Sequence, residues 1–242
     1  MTFNSKSHLI IVPTYNEIDN IDKFIDEALK IDISILVVDD NSPDGTSAYV
    51  EDAMKFHKKI HLIKRSSKLG LGSAYRDGFK WGLNNGFTHF IEMDADFSHS
   101  FQDLVKILNN SHNSDVVIGS RYILGGGSTG WDKKRKILSI SANKISKLLL
   151  RSQINDMTSG FRCYSKKALE KIDYYNTNSD GYSFQIEMTI RTIEKGLNIK
   201  EVPIIFHERR LGSSKMSKSI VLEALLFLLK NGFKRWLKIK IS

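Results

Sequence analysis

Short apolar runs alternate with longer amphipathic stretches along the first half of the chain. The apolar runs cover residues 9–12, 33–38, 60–64, 90–93 and 116–119. Between them, apolar residues recur at helical spacing in stretches that end near Leu29, His57, Asn85 and Leu108. This alternation predicts an α/β fold with a doubly wound, mainly parallel sheet and right-handed crossovers.

The pattern changes after Arg121. Residues 125–130 form a glycine-rich loop, and residues 133–151 then carry seven basic side chains and no acid, with an apolar face that includes Ile137 and Leu148. A further strand is predicted over 199–205. A long helix follows, and residues 215–242 hold seven Lys or Arg against one Glu. Basic amphipathic helices lie flat on anionic membranes, although a solvated surface helix has the same composition.

The composition is that of one large globular domain with a short appendage. The chain has 242 residues, of which 41% are hydrophobic and 26% charged, so disorder is not indicated. We divide it into a main domain, residues 1–218, and a C-terminal basic helix, residues 219–242, for membrane or partner association. The formal net charge of +9 favours a polyanionic partner: nucleic acid, an anionic membrane or a phosphorylated substrate.

The cysteine count and the lengths of the apolar stretches indicate where in the cell the protein is expected. Cys163 is the only cysteine, which excludes an intramolecular disulfide and a cysteine-rich metal site. The chain shows no signal-peptide pattern and no apolar stretch of the ~18–20 residues that a membrane span needs. We therefore expect a cytoplasmic protein that is peripheral on the cytoplasmic face of a membrane.

The segment FIEMDADFSH, residues 90–99, carries the strongest chemical signal. A predicted strand ends there in two carboxylates, Asp94 and Asp96. Alternate residues of an extended chain point to the same side, and strand ends of open α/β sheets bind ligands. Mg²⁺ and Mn²⁺ prefer oxygen ligands and keep positions open for substrate phosphates. The pair predicts a site for such a cation and a diphosphate, the alternative being a simple acidic turn.

Other acidic residues follow the neighbouring strands. Glu17 comes after the first predicted strand and Asp40 after the second, and the ends of parallel strands share one crevice. So many acids at one edge indicate a cation, or the N–H and hydroxyl groups of a nucleoside. The glycines of Gly70-Leu71-Gly72 add a weaker indication, since glycine lets a ligand approach the backbone closely.

Several sequence blocks resemble a known family. PTYNE at 13–17, VVDDNSPDGT at 37–46, KLGLGSAYRDG at 68–78 and MDADFSH at 93–99 resemble the inverting nucleotide-sugar glycosyltransferases of family 2, which have the GT-A fold. Further blocks are similar to the dolichyl-phosphate (polyprenyl-phosphate) mannosyltransferases: GSRYILGGG at 119–127, GWDKKRKILSISAN at 130–143, SGFRCY at 159–164, FQIEM at 184–188 and HERRLGSSKM at 207–216. The blocks are collinear over most of the chain.

The resemblance implies GDP-mannose as donor, dolichyl or another polyprenyl phosphate as acceptor, and roles for particular residues. The positions implied to hold guanosine are Pro13, Tyr15, Glu17, Val38 and Asp40. Those implied to hold the diphosphate and Mg²⁺ or Mn²⁺ are Asp94, Ala95 and Asp96, with Asp96 the direct ligand and Ser98 at a third metal-side position. Those implied to contact the donor and acceptor phosphates are Arg121, Arg209 and Lys215, with Arg135 a further candidate for the acceptor phosphate.

The residue chemistry agrees with such a reaction. The acceptor oxygen is already anionic, so the site needs no strong general base, only a cation and basic side chains that hold two anions together. Residues 211–215 form a polar loop suited to closing over the diphosphate. His99 and His207 lack the spacing of a histidine metal site, so we expect them to form structural hydrogen bonds.

Alternatives remain open at this level. The donor could instead be UDP-glucose, or the acceptor could be a soluble molecule or a protein rather than a lipid. A nucleotide-binding module without activity is a further alternative. Nucleic acid is not expected as a partner, because no aromatic stacking platform is interleaved with basic strand residues. Whether small membrane subunits anchor the chain is also left open.

Overall fold

The computed structural model describes residues 4–208 and 227–228, in which seven strands form one central sheet. In chain order the strands of this part of the chain are β1 His8–Thr14, β2 Ser34–Asp39, β3 Ile60–Lys64, β4 His89–Glu92, β5 Val116–Ser120, β6 Gly127–Thr129, β7 Arg162–Ser165, β8 Ile199–Pro203 and β9 Ile205–His207. Two of them, β6 and β9, form a second, small sheet. The order in the main sheet is β3-β2-β1-β4-β7-β5-β8, and only the pairs of β7 are antiparallel. The predicted α/β fold with a mainly parallel sheet is confirmed.

Helices cover both faces of the sheet. They are α1 Ile18–Lys30, α2 Thr46–Met54, α3 Leu71–Asn84, α4 Phe101–Asn110, α5 Lys133–Leu149, α6 Lys166–Ile172 and α7 Gly181–Glu194. Alternate residues of β1 point to opposite faces: Ile10 packs in one core cluster with α1, α2 and α4, and Ile11 packs in the other with α3, α6 and α7. The parallel strands are therefore buried on both sides, which explains their continuous apolar runs.

The strand β7 runs antiparallel between β4 and β5, and no sequence pattern predicts it. Its Cys163 lies opposite both Ile91 of β4 and Val117 of β5. The strand has four residues, and one of them, Arg162, is fully buried, so it lacks the apolar run that marks the other central strands.

The predicted strand over 199–205 is wrong at its end. β8 pairs with β5 in the main sheet, whereas β9 pairs with β6 in a separate two-stranded sheet. Between them, Ile204 donates its N–H to the oxygen of Ser120 (3.1 Å) and accepts a hydrogen bond from Gly127 (3.0 Å). The chain changes sheets at this residue, which brings β9 to the end of β5.

The basic helix predicted from residues 133–151 is present as α5, but four of its apolar side chains lie exposed rather than in the core. Ile137, Leu138, Ile145 and Leu148 are 65%, 52%, 47% and 70% exposed. The buried residues of α5 include Asn143 and Ser146, which are polar. Arg209, Lys215 and nearly all of the predicted helix 219–242 lie outside the described residues, although Leu228 is buried against the core.

Candidate active site

The loop after β2 is built around Asp39, which is fully buried. Its carboxylate accepts hydrogen bonds from Thr14 Oγ1 (2.7 Å), Ser47 Oγ (2.6 Å), and the N–H and hydroxyl of Ser42 (2.9 and 2.6 Å). Burial alone would raise the pKa of Asp39, but these bonds outweigh it and hold the pKa below its usual value. Asp39 therefore fixes the ends of β1 and β2 relative to each other.

The residues predicted to hold a nucleoside lie together at this edge of the sheet. Pro13, near the end of β1, and Tyr15 and Glu17, just beyond it, are half-buried. Pro13 lies directly opposite Val38 across the β1–β2 pair, and Asp40 follows β2. Val38 is fully buried in the core beneath α3, so its contribution to binding would come from its main chain.

Asp40 is the buried acid of this group, and it forms an ion pair with Arg65. Arg65 Nη1 lies 2.9 Å from Asp40 Oδ1. Burial raises the pKa of Asp40 above its usual value, against the opposing effect of Arg65. No sequence pattern marks Arg65, which follows β3 in a run of polar residues.

The loop after β4 holds the two predicted metal-binding acids. Asp94 is half-buried, whereas Ala95, Asp96 and Ser98 are buried. Asp96 Oδ1 accepts the N–H of Ser98 (3.0 Å), and the intervening Phe97 has a left-handed backbone with φ +58°. A non-glycine residue in this conformation costs free energy, so the packing around Phe97 fixes the turn that orients Asp96.

These residues fit a divalent cation with an open coordination sphere. Among residues 4–208 and 227–228, no group of three or more His, Cys, Asp or Glu side chains forms a closed metal site. Asp94 and Asp96 supply carboxylate oxygens, and a substrate diphosphate can complete the sphere. The buried hydroxyl of Ser98 has no hydrogen-bond partner within the described residues, which suits a water on such an ion.

His99 follows the acidic loop and packs against Phe206, whose ring centroid also lies 5.7 Å from the guanidinium carbon of Arg121. The ring of His99 stacks on Phe161 with centroids 4.5 Å apart. Burial lowers the pKa of His99 to about 4, with Asp96 raising the pKa and Arg121 lowering it further. The imidazole is therefore neutral at physiological pH and within electrostatic reach of both Asp96 and Arg121. His99 is held by ring packing; the predicted structural hydrogen bond is confirmed for His207, whose Nδ1 is 2.9 Å from Thr129 Oγ1.

Arg121, at the end of β5, is held by a carboxylate that no sequence motif indicates. Its Nε and Nη2 donate to Asp156 Oδ2 and Oδ1 (both 2.7 Å), and its main-chain N–H donates to Oδ2 (3.0 Å). Nη2 also donates to Thr158 (2.9 Å), which Asn143 of α5 contacts at 3.1 Å. Burial would raise the pKa of Asp156, but Arg121 outweighs it and lowers the pKa, so the pair is ionised.

An aromatic residue, Trp131, joins the two predicted phosphate-binding arginines. The guanidinium carbons of Arg121 and Arg135 lie 5.5 and 4.6 Å from the centroid of its ring. Phe206 packs against Trp131 with centroids 5.2 Å apart, and Arg135 pairs with Glu208 (2.9 Å). The structure therefore brings Arg121 and Arg135 to one aromatic surface beside β9.

Arg209 and Lys215, the other predicted phosphate contacts, lie outside the described residues. The chain that leads to them is attached to the acidic loop, because His207 donates its N–H to the oxygen of Ser98 (2.9 Å). Arg209 therefore follows, by two residues, a strand bonded to the loop of Asp96.

The two glycines at the start of α3, Gly70 and Gly72, have a different role from the predicted one. Gly70 has φ +96°, and a Cβ there would lie 1.7 Å from Asp180 Oδ2. A Cβ on Gly72 would lie 2.8 Å from the oxygen of Ser179, and Gly72 donates its N–H to Asp180. The expectation that these glycines admit a ligand is corrected: they admit the chain's own residues 179–180.

No helix within the described residues is long and apolar enough to cross a membrane. Exposed apolar side chains occur instead on α5, beside Lys144 and Lys147.

Comparison with known proteins identifies the family to which this chain is similar. The model of glycosyl transferase family 2 matches residues 9–173. Polyprenol monophosphomannose synthase of Mycolicibacterium smegmatis is 45% identical over 221 residues, covering 90% of this chain and 83% of that protein. Undecaprenyl-phosphate mannosyltransferase of Micrococcus luteus is 40% identical over 231 residues, covering 94% and 95%.

A solved structure supports the fold. Mannosyltransferase PcManGT from Pyrobaculum calidifontis, in complex with GDP-Man and Mn²⁺, matches 98% of this chain with a TM-score of 0.58 at 15% identity. The chain spans 65% of the length of that structure. At this identity the likeness concerns the GT-A fold alone. Because the family model covers most of the chain and both relatives match nearly its whole length, the chain belongs to glycosyl transferase family 2.

Proposed function

We propose that this chain transfers mannose from GDP-mannose to a polyprenyl phosphate such as dolichyl or undecaprenyl phosphate, with inversion at the anomeric carbon. The names of the two relatives support the sugar and the lipid acceptor. The presence of GDP-Man in the PcManGT complex is consistent with the donor.

The observation that carries the proposal is that the acidic loop and the basic residues meet at the ring of Phe206. Asp94 and Asp96 form an acidic side, and Arg121 and Arg135 form a basic side on the ring of Trp131. His99, three residues after Asp96, packs against Phe206 with ring centroids 5.3 Å apart, and the guanidinium carbon of Arg121 lies 5.7 Å from the centroid of the same Phe206 ring. A reaction that joins a diphosphate donor to a phosphate acceptor requires this arrangement, because two anions must approach each other.

The chemistry needs little from the protein beyond charge and orientation. A phosphate oxygen of the acceptor attacks C1 of mannose from the face opposite the diphosphate, the bond from C1 to the diphosphate oxygen breaks, and GDP leaves. The attacking oxygen is already anionic, so no residue has to remove a proton. When Mg²⁺ or Mn²⁺ is bound by Asp94 and Asp96, with Ser98 beside it, the ion offsets the charge that develops on the leaving diphosphate.

The basic residues have distinct tasks in this proposal. Arg121 is held in one orientation by Asp156, which also offsets part of its charge, so its task is to keep a fixed guanidinium beside the aromatic surface. Arg135 is more exposed and is paired with Glu208, a weaker partner that an incoming phosphate can replace. Arg209 and Lys215, further along the chain than β9, would complete the phosphate contacts.

On the donor side, Pro13, Tyr15, Glu17, Val38 and Asp40 surround the base, and Ala95 lies between the two acids beside the diphosphate. Buried Asp40 offers carboxylate oxygens to the N–H groups of guanine. The chain then divides into a catalytic domain, residues 1–218, and a helix, residues 219–242, that attaches to the membrane.

We propose that the chain attaches to the cytoplasmic face of a membrane, and the acceptor and α5 support the attachment. The acceptor phosphate lies at a bilayer surface, and α5 begins at the Trp131–Arg135 segment that would hold it. Ile137 and Leu148 are exposed on this helix among lysines, a pattern that suits anionic headgroups. Small membrane subunits could add to this attachment.

The test uses the purified chain, Mg²⁺ or Mn²⁺, undecaprenyl or dolichyl phosphate, and labelled GDP-mannose or UDP-glucose. We expect label to enter the organic phase from GDP-mannose alone, with the inverted anomeric configuration by NMR. Asp96→Ala is expected to remove metal-dependent transfer. Transfer from UDP-glucose, a retained configuration, or no lipid product with either donor would each contradict the proposal.

A further inference from the structure

Arg65 is a buried cation at the edge of the sheet where the donor base is proposed to bind. It follows β3, and its side chain is only 4% exposed. A buried guanidinium has lost its hydration, so its neighbours must compensate its charge and its donors. Those neighbours belong to the loop after β2, the turn before α3, and α3 itself.

The contacts of Arg65 connect these elements. Its main-chain N–H donates to the oxygen of Asp39 (2.9 Å), which continues the β2–β3 pair. Nη1 lies 2.9 Å from Asp40 Oδ1 and 3.4 Å from the oxygen of Gly70, and Nη2 donates to Ser73 Oγ (2.5 Å). One planar group therefore links the Asp40 carboxylate to the first turn of α3, through an ion pair in which Asp40 Oδ1 makes no hydrogen bond within the described residues.

The charge of Arg65 also acts on Asp40. Burial favours the neutral acid and raises its pKa, and the neighbouring Asp39 raises it further. Arg65 opposes both, with help from the N–H groups of Leu69 and Gly70. Arg65 itself faces a second acid, Asp77 of α3, at 3.5 Å, but that side chain is 44% exposed.

We propose that Arg65 is a positioning residue for the sugar donor: it holds the Asp40 carboxylate in the orientation in which that group accepts the N–H donors of the nucleobase. This inference rests on the proposed function, in which Asp40 meets the base. Arg65 touches no substrate; it acts through Asp40. Because the guanidinium contacts both Asp40 and the Gly70–Ser73 turn, removal of Arg65 frees the carboxylate and favours its protonation.

The experiment measures GDP binding to the folded full chain by calorimetry from about pH 5.5 to 8, for wild type, Arg65→Gln, Arg65→Lys and Lys64→Gln. We expect Arg65→Gln to weaken GDP binding about tenfold or more at neutral pH, with affinity recovering as the pH rises and Asp40 ionises. Arg65→Lys keeps the charge and is expected to recover much of the loss. Lys64→Gln removes a neighbouring charge that pairs with exposed Glu51, and its binding is expected to match wild type.

Kinetics and a double variant separate positioning from simple loss of structure. With Arg65→Gln, the KM for donor is expected to rise while kcat at saturating donor and the KM for lipid phosphate stay within about threefold of wild type. In an Asp40→Asn background, Arg65→Gln is expected to add little further loss, because its effect passes through the carboxylate. A purely structural role would lower the melting temperature without this dependence on pH and on Asp40.

The outcomes are distinguishable. If the wild type does not bind GDP, the proposed function fails. If the wild type binds GDP and Arg65→Gln binds it equally well with the same pH profile, only the role of Arg65 is overturned. If Arg65→Gln does not fold, Arg65→Lys decides: GDP affinity equal to wild type overturns the inference, and affinity reduced about threefold or more supports it.

Discussion

Glu92 lies directly opposite Arg162 across the antiparallel pair of β4 and β7, and both residues are fully buried. Arg162 donates to the main-chain oxygens of Met157 (2.8 Å), Ser159 (2.7 Å) and Gln185 (3.0 Å). Glu92 accepts one hydrogen bond from Gln185 Nε2 (2.9 Å), and its Oε1 has no hydrogen-bond partner within the described residues. Arg162 thus donates its hydrogen bonds to residues around β7 and in α7. Burial therefore raises the pKa of Glu92 to about 8, although Arg162 and Gln185 both lower it.

The first prediction concerns Glu92 and the pH dependence of stability. A carboxyl whose pKa rises from 4.5 to about 8 on folding binds its proton more tightly in the folded state. Its contribution to stability is complete below pH 4.5 and is lost as the pH rises through about 8. Relative to Glu92→Gln, the free energy of unfolding of the wild type is expected to fall across this range, by at most about 1.4 kcal/mol per pH unit.

Chemical denaturation of both proteins at about pH 5, 7 and 9 measures this difference. Free energies of unfolding that change in parallel with pH would show that Glu92 is ionised in the folded state at neutral pH.

The position of the site follows from local sequence. The apolar runs of β1, β2 and β4 are each continuous, and each is followed by an acid: Glu17, Asp40 or Asp94. Parallel strands place their carboxyl ends at one edge, so the sequence alone predicts where these residues meet. That inference needs no knowledge of side-chain contacts.

The residues that hold the site could not be predicted in the same way. Arg121 is paired with Asp156, 35 positions further along the chain, and Arg162 bonds Thr189, 27 positions away. A charged residue in a sequence does not reveal whether the fold will bury it, because burial depends on the partner that another element supplies. The burial of Arg65 could not be predicted either, because its partner Asp40 comes from another element. The Gly70 turn was assigned to a ligand because Asp180, which fills the space, lies over 100 residues away.

The second prediction concerns Asp156, the partner of Arg121. Asp156→Ala leaves a buried guanidinium without its carboxylate, which is expected to lower the free energy of unfolding by about 3–5 kcal/mol. Glycosyl transfer is expected to fall as well, since the orientation of Arg121 is lost. Urea denaturation and initial rates provide the two measurements. Asp52→Ala is the matched control, because Asp52 pairs with Lys55 on the surface with both side chains about 70% exposed.

The control variant is expected to change stability by less than about 1 kcal/mol. Equal and small effects at Asp156 and Asp52 would mean that the Arg121 ion pair contributes no more than a surface pair.

The third prediction concerns the close approach of Asp180 to Gly70. Gly70 has φ +96° and ψ 160°, a region that essentially only glycine occupies. Gly70→Ala is expected to destabilise the protein by about 3 kcal/mol or more, through backbone strain and overlap with Asp180. Gly86→Ala is the matched control: φ is +83°, but a Cβ there meets nothing within 4 Å, so about 1 kcal/mol is expected.

Denaturation of the two alanine variants and of Gly70→Ala combined with Asp180→Ala separates the causes. The second substitution should restore the part of the loss that arises from overlap. If Gly70→Ala is no more destabilising than Gly86→Ala, the approach of Asp180 does not constrain this turn.

The fourth prediction concerns the exposed apolar side chains of α5. Ile137, Ile145 and Leu148 are 65%, 47% and 70% exposed, so replacing all three with serine removes little from the core. If α5 lies on the membrane, this triple variant should bind anionic vesicles about tenfold or more weakly in flotation assays, with a melting temperature close to that of wild type. Phe56→Ser is the control, because Phe56 is 80% exposed but follows α2. Vesicle binding by Phe56→Ser should equal that of the wild type. Added salt should weaken vesicle binding by the wild type, because in this arrangement the lysines of α5 contact the anionic headgroups. Wild-type flotation by the triple variant would rule out α5 as the membrane-facing surface.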